Sequence, residues 1–308
     1  MTTGIRHLLS VADLSPAEVE AMLRRAAELK VAPAPQVLSG RTVALVFEKP
    51  SLRTRVSFDV AIHQLGGHAL YLGRDEVGMG VREPVSDTAR ILSRYVDAIV
   101  VRTFAQATLE TLARYSSVPV INALSDAEHP CQALADLLTI QEHKGRINGV
   151  NVAYIGDGNN CAVSLGIAAA SIGAHFSIAS PAGYELPDAA VEETRRRGAL
   201  TGAQVTLTDS PQQAVAGADV VYTDVWTSMG QEAESELRRQ AFRGFRVDAD
   251  LMALAGDGAL FMHPLPAHPG EEIAEGMLEH PQSVVFVQAE NRLHVQRAIL
   301  AELFAAEA

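Results

Sequence analysis

Residues 42–55 read Thr-Val-Ala-Leu-Val-Phe-Glu-Lys-Pro-Ser-Leu-Arg-Thr-Arg. Six residues, Thr42–Phe47, form an apolar, partly β-branched run of strand length. Pro50 and Ser51 end it, and Ser51 is a natural helix cap because its hydroxyl can accept a backbone N–H of the first turn. Strand, short turn, then a helical stretch over Ser57–Leu65 is the opening of a β-α-β unit. The same rhythm recurs outward. Strands are predicted at His68–Leu72, Asp97–Val101 and Val118–Ile121, with a helix at Ser86–Tyr95 before the second of these. A long helix follows over Pro130–His143. Upstream, Ser15-Pro16-Ala17-Glu18 is a capping box with proline at the first helical position. Val19, Met22, Leu23, Ala26 and Leu29 then make one apolar face.

Beyond Lys144-Gly145 the alternation restarts, with strands predicted at Val150–Ile155, His175–Ala179, Gln204–Leu207, Val220–Tyr222, Ala259–Met262 and Val284–Val287. A final helix is predicted over Asn291–Ala305. Strands alternating with helices imply parallel sheets covered on both faces. The expected class is α/β, two doubly wound parallel-sheet domains with helices on both faces. A chain of 308 residues suits two domains. The boundaries are placed at 1–147 and 148–290, with 291–308 packing back on the first.

Composition narrows the function. Hydrophobic residues are 48% and charged residues 20% of the chain, the balance of a water-soluble protein. A net charge of −12 with only 5% aromatic residues argues against a nucleic-acid partner, because a phosphate backbone is repelled and bases find no stacking platform. No run approaches 18 apolar residues, and residues 1–10 lack a signal peptide's pattern, so no membrane association and a cytoplasmic location are expected. Two cysteines, Cys131 and Cys161, fit a reducing compartment and offer no metal-ligand spacing, so no metal and no cofactor are expected.

Ligands of open α/β sheets bind beyond the carboxyl ends of the strands. Polar residues concentrate there: Arg102, Ser125-Asp126, Gly156-Asp157-Gly158-Asn159-Asn160, Asp224 and His263. At Ser51–Arg55, free backbone N–H groups, two hydroxyls and two arginines compose an anion site at a helix N-terminus. On spacing alone, an ordinary capped helix with solvated arginines fits equally well. Gly156-x-Gly158 also invites a dinucleotide-binding dehydrogenase reading, but the third glycine position is Cys161 and the next strand ends in Ser180 rather than an acidic residue.

Four segments in order resemble the aspartate and ornithine carbamoyltransferase family, across nearly the whole chain. Ser51-Leu52-Arg53-Thr54-Arg55 resembles its carbamoyl-phosphate motif, with Leu52 where the family usually has Thr and a backbone N–H that Leu52 retains. Arg102-Thr103-Phe104 resembles the strand-end arginine that meets both phosphate and carbamoyl oxygen. His129-Pro130-Cys131-Gln132 resembles the signature on the carbamoyl group, and His263-Pro264-Leu265-Pro266 the loop that closes over the carbamoyl nitrogen.

The resemblance implies Thr54, Arg102 and His129 as catalytic donors to the carbonyl oxygen. Ser51, Leu52, Arg53, Thr54, Arg102 and Arg292 would hold the phosphate, with Gln132 and the carbonyls of Leu124, Pro264 and Leu265 on the carbamoyl nitrogen. Asp224-Val225-Trp226-Thr227-Ser228-Met229-Gly230 resembles the ornithine-type loop. Asp224 and Ser228 would take an α-ammonium, Asn160 and the Met229 backbone an α-carboxylate, and Leu124 counts with the acceptor's residues. The partners implied are carbamoyl phosphate and L-ornithine. Val77-Gly78-Met79-Gly80 occupies the loop that reaches a neighbouring subunit in the family, which implies a homo-oligomer, a trimer or a multiple of trimers, with Arg82 near the contact. Pro264 departs from the Cys usual in ornithine enzymes. Putrescine, lysine, an N-acylated ornithine, or a non-catalytic binding role are the alternatives.

Overall fold

The computed structural model describes residues 7–305. They divide into two compact units, one running to Leu134 and resuming at Arg292, the other spanning Ala135–Asn291.

In the first unit, α1 (Pro16–Val31) starts as its capping box dictates: Ser15 Oγ accepts the Glu18 N–H, and Glu18 Oε2 accepts the Ser15 N–H at 2.8 Å. Then come β1 (Thr42–Phe47), α2 (Leu52–Gln64), β2 (His68–Gly73), α3 (Arg74–Val77), α4 (Val85–Leu92), β3 (Ala98–Arg102), α5 (Gln106–Tyr115), β4 (Val120–Leu124) and the first turn of α6 (Pro130–Lys144). The sheet is parallel, in the order β2-β1-β3-β4. Val43 to Phe47 are buried without alternation, the mark of a strand covered on both faces. Ala44, Val46, Ile99, Val101 and Val120 pack with Leu109 and Leu112 of α5 in one core.

The second unit takes the rest of α6, then β5 (Asn151–Ile155), α7 (Asn160–Ser171), β6 (His175–Ala179), α8 (Asp188–Thr201), β7 (Val205–Thr208), α9 (Pro211–Val215), β8 (Val220–Thr223), α10 (Ser235–Ala241), α11 (Ala249–Met252), β9 (Leu260–Met262) and the first turns of α12 (Val285–Ala305). Its sheet is parallel in the order β7-β6-β5-β8-β9. Ile155, Val221 and Phe261 pack with Trp226, Phe242 and Val247. The expected α/β class with parallel sheets is what the chain adopts. Among the described residues no helix is long and apolar enough to cross a membrane.

Two expectations are corrected. Val284–Val287 is not a strand: α12 begins at Val285, six residues before the predicted start, and only Ser283 bridges to the sheet, at Phe261. A four-residue apolar run satisfies either period, and here burial is helical, with Val284 and Val285 inside and Phe286 exposed. The strand expected at Val118–Ile121 starts at Val120, since Pro119 has no N–H to give the ladder.

Candidate active site

Each sheet reverses its strand order once, and that switch point is where open α/β sheets hold ligands. In the first unit it lies between β1 and β3, where Phe47 pairs with Arg102. Ser51 caps α2, its Oγ accepting the Thr54 N–H at 3.3 Å and donating to Thr54 Oγ1 at 3.0 Å. Thr54 is fully buried and also accepts from Arg292 Nη2 at 2.6 Å. Leu52 leaves its side chain in solvent, so its backbone is what it offers the helix start. Arg53 is half-buried, and desolvation draws its guanidinium pKa down from the ordinary value. Arg55, the second arginine of the expected anion site, instead lies over the Tyr71 ring at 3.8 Å.

His129, Gln132 and Arg292 are buried. Burial holds the His129 imidazole well below its usual pKa, and the charges of Arg292 and then Arg102 push it the same way. Arg102, His129, Arg292 and Thr54 therefore converge, and the histidine among them is neutral. A neutral imidazole beside two guanidiniums can donate to an oxygen that gains charge without adding a third cation to an unliganded site. The Leu124 carbonyl already accepts the Thr103 N–H at 2.9 Å, which leaves one lone pair for a ligand.

In the second unit the switch point lies between β5 and β8, where Ile155 pairs with Thr223. Asn159 caps α7: its Oδ1 accepts the N–H groups of Cys161 and Ala162, and its Nδ2 donates to Asp224 Oδ2 at 2.9 Å. The other oxygen, Asp224 Oδ1, accepts the Val225 N–H at 2.8 Å. Asn160 opens α7, while Ser228 is half-buried and Met229 exposed on the loop after Asp224. Gly158 serves close packing, since a Cβ there would meet the Glu185 and Leu186 backbone at 2.4 Å.

The His263–Pro266 segment is pinned from inside. Leu265 N–H donates to His263 Nδ1 at 2.9 Å, so the imidazole proton sits on Nε2, which donates to Glu272 Oε1 at 3.2 Å. Both His263 and Glu272 are fully buried. The His263 N–H donates to Gln288 Oε1, whose Nε2 donates to Asp136; Tyr222 OH donates to the same carboxylate. Leu265 takes φ 59°, a left-handed conformation that its neighbours must impose.

Sequence reading places Asp157 and Asn159 among the polar residues beyond the strand ends but gives neither a role, and it misses Arg238 and Glu272. Asn159 also has a legible cap signal, a capping residue before an apolar helix; Arg238 and Glu272 have none. Among the described residues His268, Glu271 and Glu272 place ligand-type atoms within 4.8 Å of one another, but Glu271 pairs with Arg239 and Glu272 is engaged by His263.

Two doubly wound units, one with arginines gathered at its switch point and one with an acidic loop at its own, define a two-domain α/β protein. Residues 6–142 match the aspartate/ornithine carbamoyltransferase carbamoyl-P binding domain and residues 148–303 the Asp/Orn binding domain. The chain belongs to the aspartate/ornithine carbamoyltransferase family. It is 58% identical to an ornithine carbamoyltransferase of Acidothermus cellulolyticus over 97% of this chain and 96% of that one. An ornithine carbamoyltransferase of Anoxybacillus flavithermus is 51% identical, again over 97% and 96%. A solved ornithine carbamoyltransferase of Pyrococcus furiosus superposes with a TM-score of 0.93 at 49% identity, covering 98% of this chain and 97% of that one.

Proposed function

We propose that this protein transfers the carbamoyl group of carbamoyl phosphate to the side-chain amine of L-ornithine, giving citrulline and phosphate. The observation that carries the reading is the gathering of Thr54, Arg102, His129 and Arg292 at the first switch point, with the imidazole kept neutral. Residues 1–147 with 291–308 form the carbamoyl-phosphate domain in this reading, and 148–290 the ornithine domain.

The amine nitrogen attacks the carbamoyl carbon, and the carbonyl oxygen gains charge against Thr54, Arg102 and His129. Gln132 and the carbonyls of Pro264, Leu265 and Leu124 hold the carbamoyl nitrogen and amine so that the attack is aligned. The C–O bond to phosphate breaks, and the leaving group is received by Ser51, Leu52 N–H, Arg53, Thr54, Arg102 and Arg292. A phosphate oxygen takes the proton that the amine loses, so neither a covalent enzyme intermediate nor a cofactor is required. Asp224 and Ser228 take the α-ammonium of ornithine, and Asn160 with the Met229 backbone its α-carboxylate; an anion for a cation and neutral donors for an anion suit a zwitterion. We place the protein in the cytoplasm as a homotrimer or a multiple of trimers, acting in arginine metabolism in either direction.

A panel of amines assayed for carbamoylation by carbamoyl phosphate tests the reading. Ornithine is expected to give the highest kcat/KM. Higher efficiency with putrescine, lysine or an N-acylated ornithine reassigns the acceptor, and no product with any amine overturns catalysis.

A further inference from the structure

Arg238, on α10, is buried although it carries a full charge. Its Nη1 donates to Asp157 Oδ2 at 2.7 Å and to the Trp226 carbonyl at 2.9 Å. Its Nε donates to Glu234 Oε2 at 3.3 Å, and its guanidinium lies 4.9 Å from the Tyr184 ring centroid. Asp157 belongs to the turn after β5, two residues before the cap Asn159 and three before Asn160. Trp226 lies midway between Asp224 and Ser228. One guanidinium thus ties the middle of the acceptor loop to the turn that opens α7. Asn159 makes the parallel tie to Asp224 itself.

We propose that Arg238 is a positioning residue for the acceptor, fixing the spacing between the Asp224–Met229 loop and the Asn159–Asn160 turn, and so the fit to the α-ammonium and α-carboxylate. The inference rests on the reading of ornithine as the acceptor. Three arguments support it. Beyond Trp226 the loop is held from within, by Ser228 N–H to Gln231 Oε1, Gln231 N–H to the Ser228 carbonyl and Gly230 N–H to the Glu232 carboxylate, and before it Asp224 Oδ1 accepts the Val225 N–H, so the Arg238 bond to the Trp226 carbonyl holds the stretch between these turns from outside. The bond is charge-assisted and buried, where such bonds hold geometry most firmly. The arrangement also has a standing demand for Arg238: burial pushes the Asp157 carboxyl up to about 6, with Arg238 opposing the shift and Asp224 and Glu234 adding to it. Without the guanidinium the turn would hold a carboxylate with no counter-ion beside two other acids.

The test is steady-state kinetics of Arg238→Met, Arg238→Lys, Asp157→Asn and the Arg238→Met/Asp157→Asn double variant. KM is read for both substrates, and the inhibition constant for L-norvaline, which carries the α-groups of ornithine without the terminal amine. Arg238→Met is expected to raise the ornithine KM and the norvaline constant together by about 10- to 100-fold, the loss of one to two charge-assisted hydrogen bonds. The carbamoyl phosphate KM should stay within about twofold. Arg238→Lys should recover part of the loss, since a lysine keeps the charge but not the fork that spans Asp157, Trp226 and Glu234. The double variant should match Arg238→Met, because both changes break one tie.

Unchanged ornithine KM and norvaline inhibition in a folded Arg238→Met enzyme overturns the proposal; so does an equal rise in the carbamoyl phosphate KM, or full additivity in the double variant. If Arg238→Met does not fold, Asp157→Asn, which keeps an acceptor for Nη1, decides alone: a rise of about 3- to 10-fold in both acceptor constants supports the tie and no change refutes it. Failure of the wild type to carbamoylate ornithine in the amine panel is a separate result, and it sinks the acceptor reading whatever the variants do.

Discussion

Replacing Glu272 with alanine removes the acceptor of two donors, the His263 Nε2–H at 3.2 Å and the His268 N–H at 2.5 Å. A buried donor left without a partner costs about 1–3 kcal/mol. His268 is exposed, so water can recover its share, whereas His263 is fully buried and has no such recourse. The cost is about 1–3 kcal/mol, nearly all of it at His263. A second loss follows, because a His263 ring freed on one side no longer offers Nδ1 to the Leu265 N–H. Leu265 at φ 59° then has less to hold it in a conformation that costs about 1–3 kcal/mol in a residue with a Cβ. The assay is native-state hydrogen exchange at the Leu265 amide, which reads local opening without assuming that the whole chain unfolds in one step. At about 1.4 kcal/mol per decade, exchange should accelerate roughly 5- to 140-fold in Glu272→Ala. Glu272→Gln keeps an oxygen that can accept both bonds and should show less than half that change on a logarithmic scale. Equal protection in Glu272→Ala and wild type would refute the reasoning. Equal damage from Gln and Ala would show that charge, not hydrogen-bond geometry, holds the segment.

Arg102→Ala should lower kcat by roughly 10²- to 10³-fold with the thermal melt unchanged, and Lys should rescue poorly; near-wild-type turnover would remove Arg102 from the mechanism. His129 is depressed well below 6.5 by burial and two guanidiniums, so the folded chain binds its proton less readily than the unfolded chain does. The stability this residue contributes is present above about pH 6.5 and declines as pH falls below it. A pH series of denaturation midpoints should show that decline, smaller in His129→Gln, and an NMR titration placing the ring at 6.5 or higher would contradict it.

Local chemistry was legible and distant pairing was not. The β1 run, the Ser51 cap and the Ser15 capping box are decided within a few residues, and each forms where its sequence says. Val284–Val287 was misread because four apolar residues carry no period, and the helix behind them extends forward to Val285. Arg238 meets Asp157 across 81 residues, and Gln288 meets Asp136 across 152. Nothing in the neighbourhood of Glu-Leu-Arg-Arg at 236–239 marks one arginine as buried; only the folded sheet brings Asp157 to it. Asn159 falls between these cases, since its cap was readable and its bond to Asp224, 65 residues away, was not.

Neither cysteine is in a disulfide and both are buried, and burial pushes the Cys131 thiol up to about 12. At neutral pH about one Cys131 in 10⁵ is a thiolate, the form that reacts with electrophiles. Pro264 stands where ornithine-type relatives usually carry a further thiol. Alkylating agents and mild peroxide should therefore pass this site by, and inhibition by such reagents would report damage elsewhere. The same silence makes the wild-type chain a ready background for chemical labelling. A cysteine placed at Leu52 or Met229, both exposed beside the two switch points, would be the fast-reacting thiol, so a fluorophore could be attached there without first removing the native sulfurs.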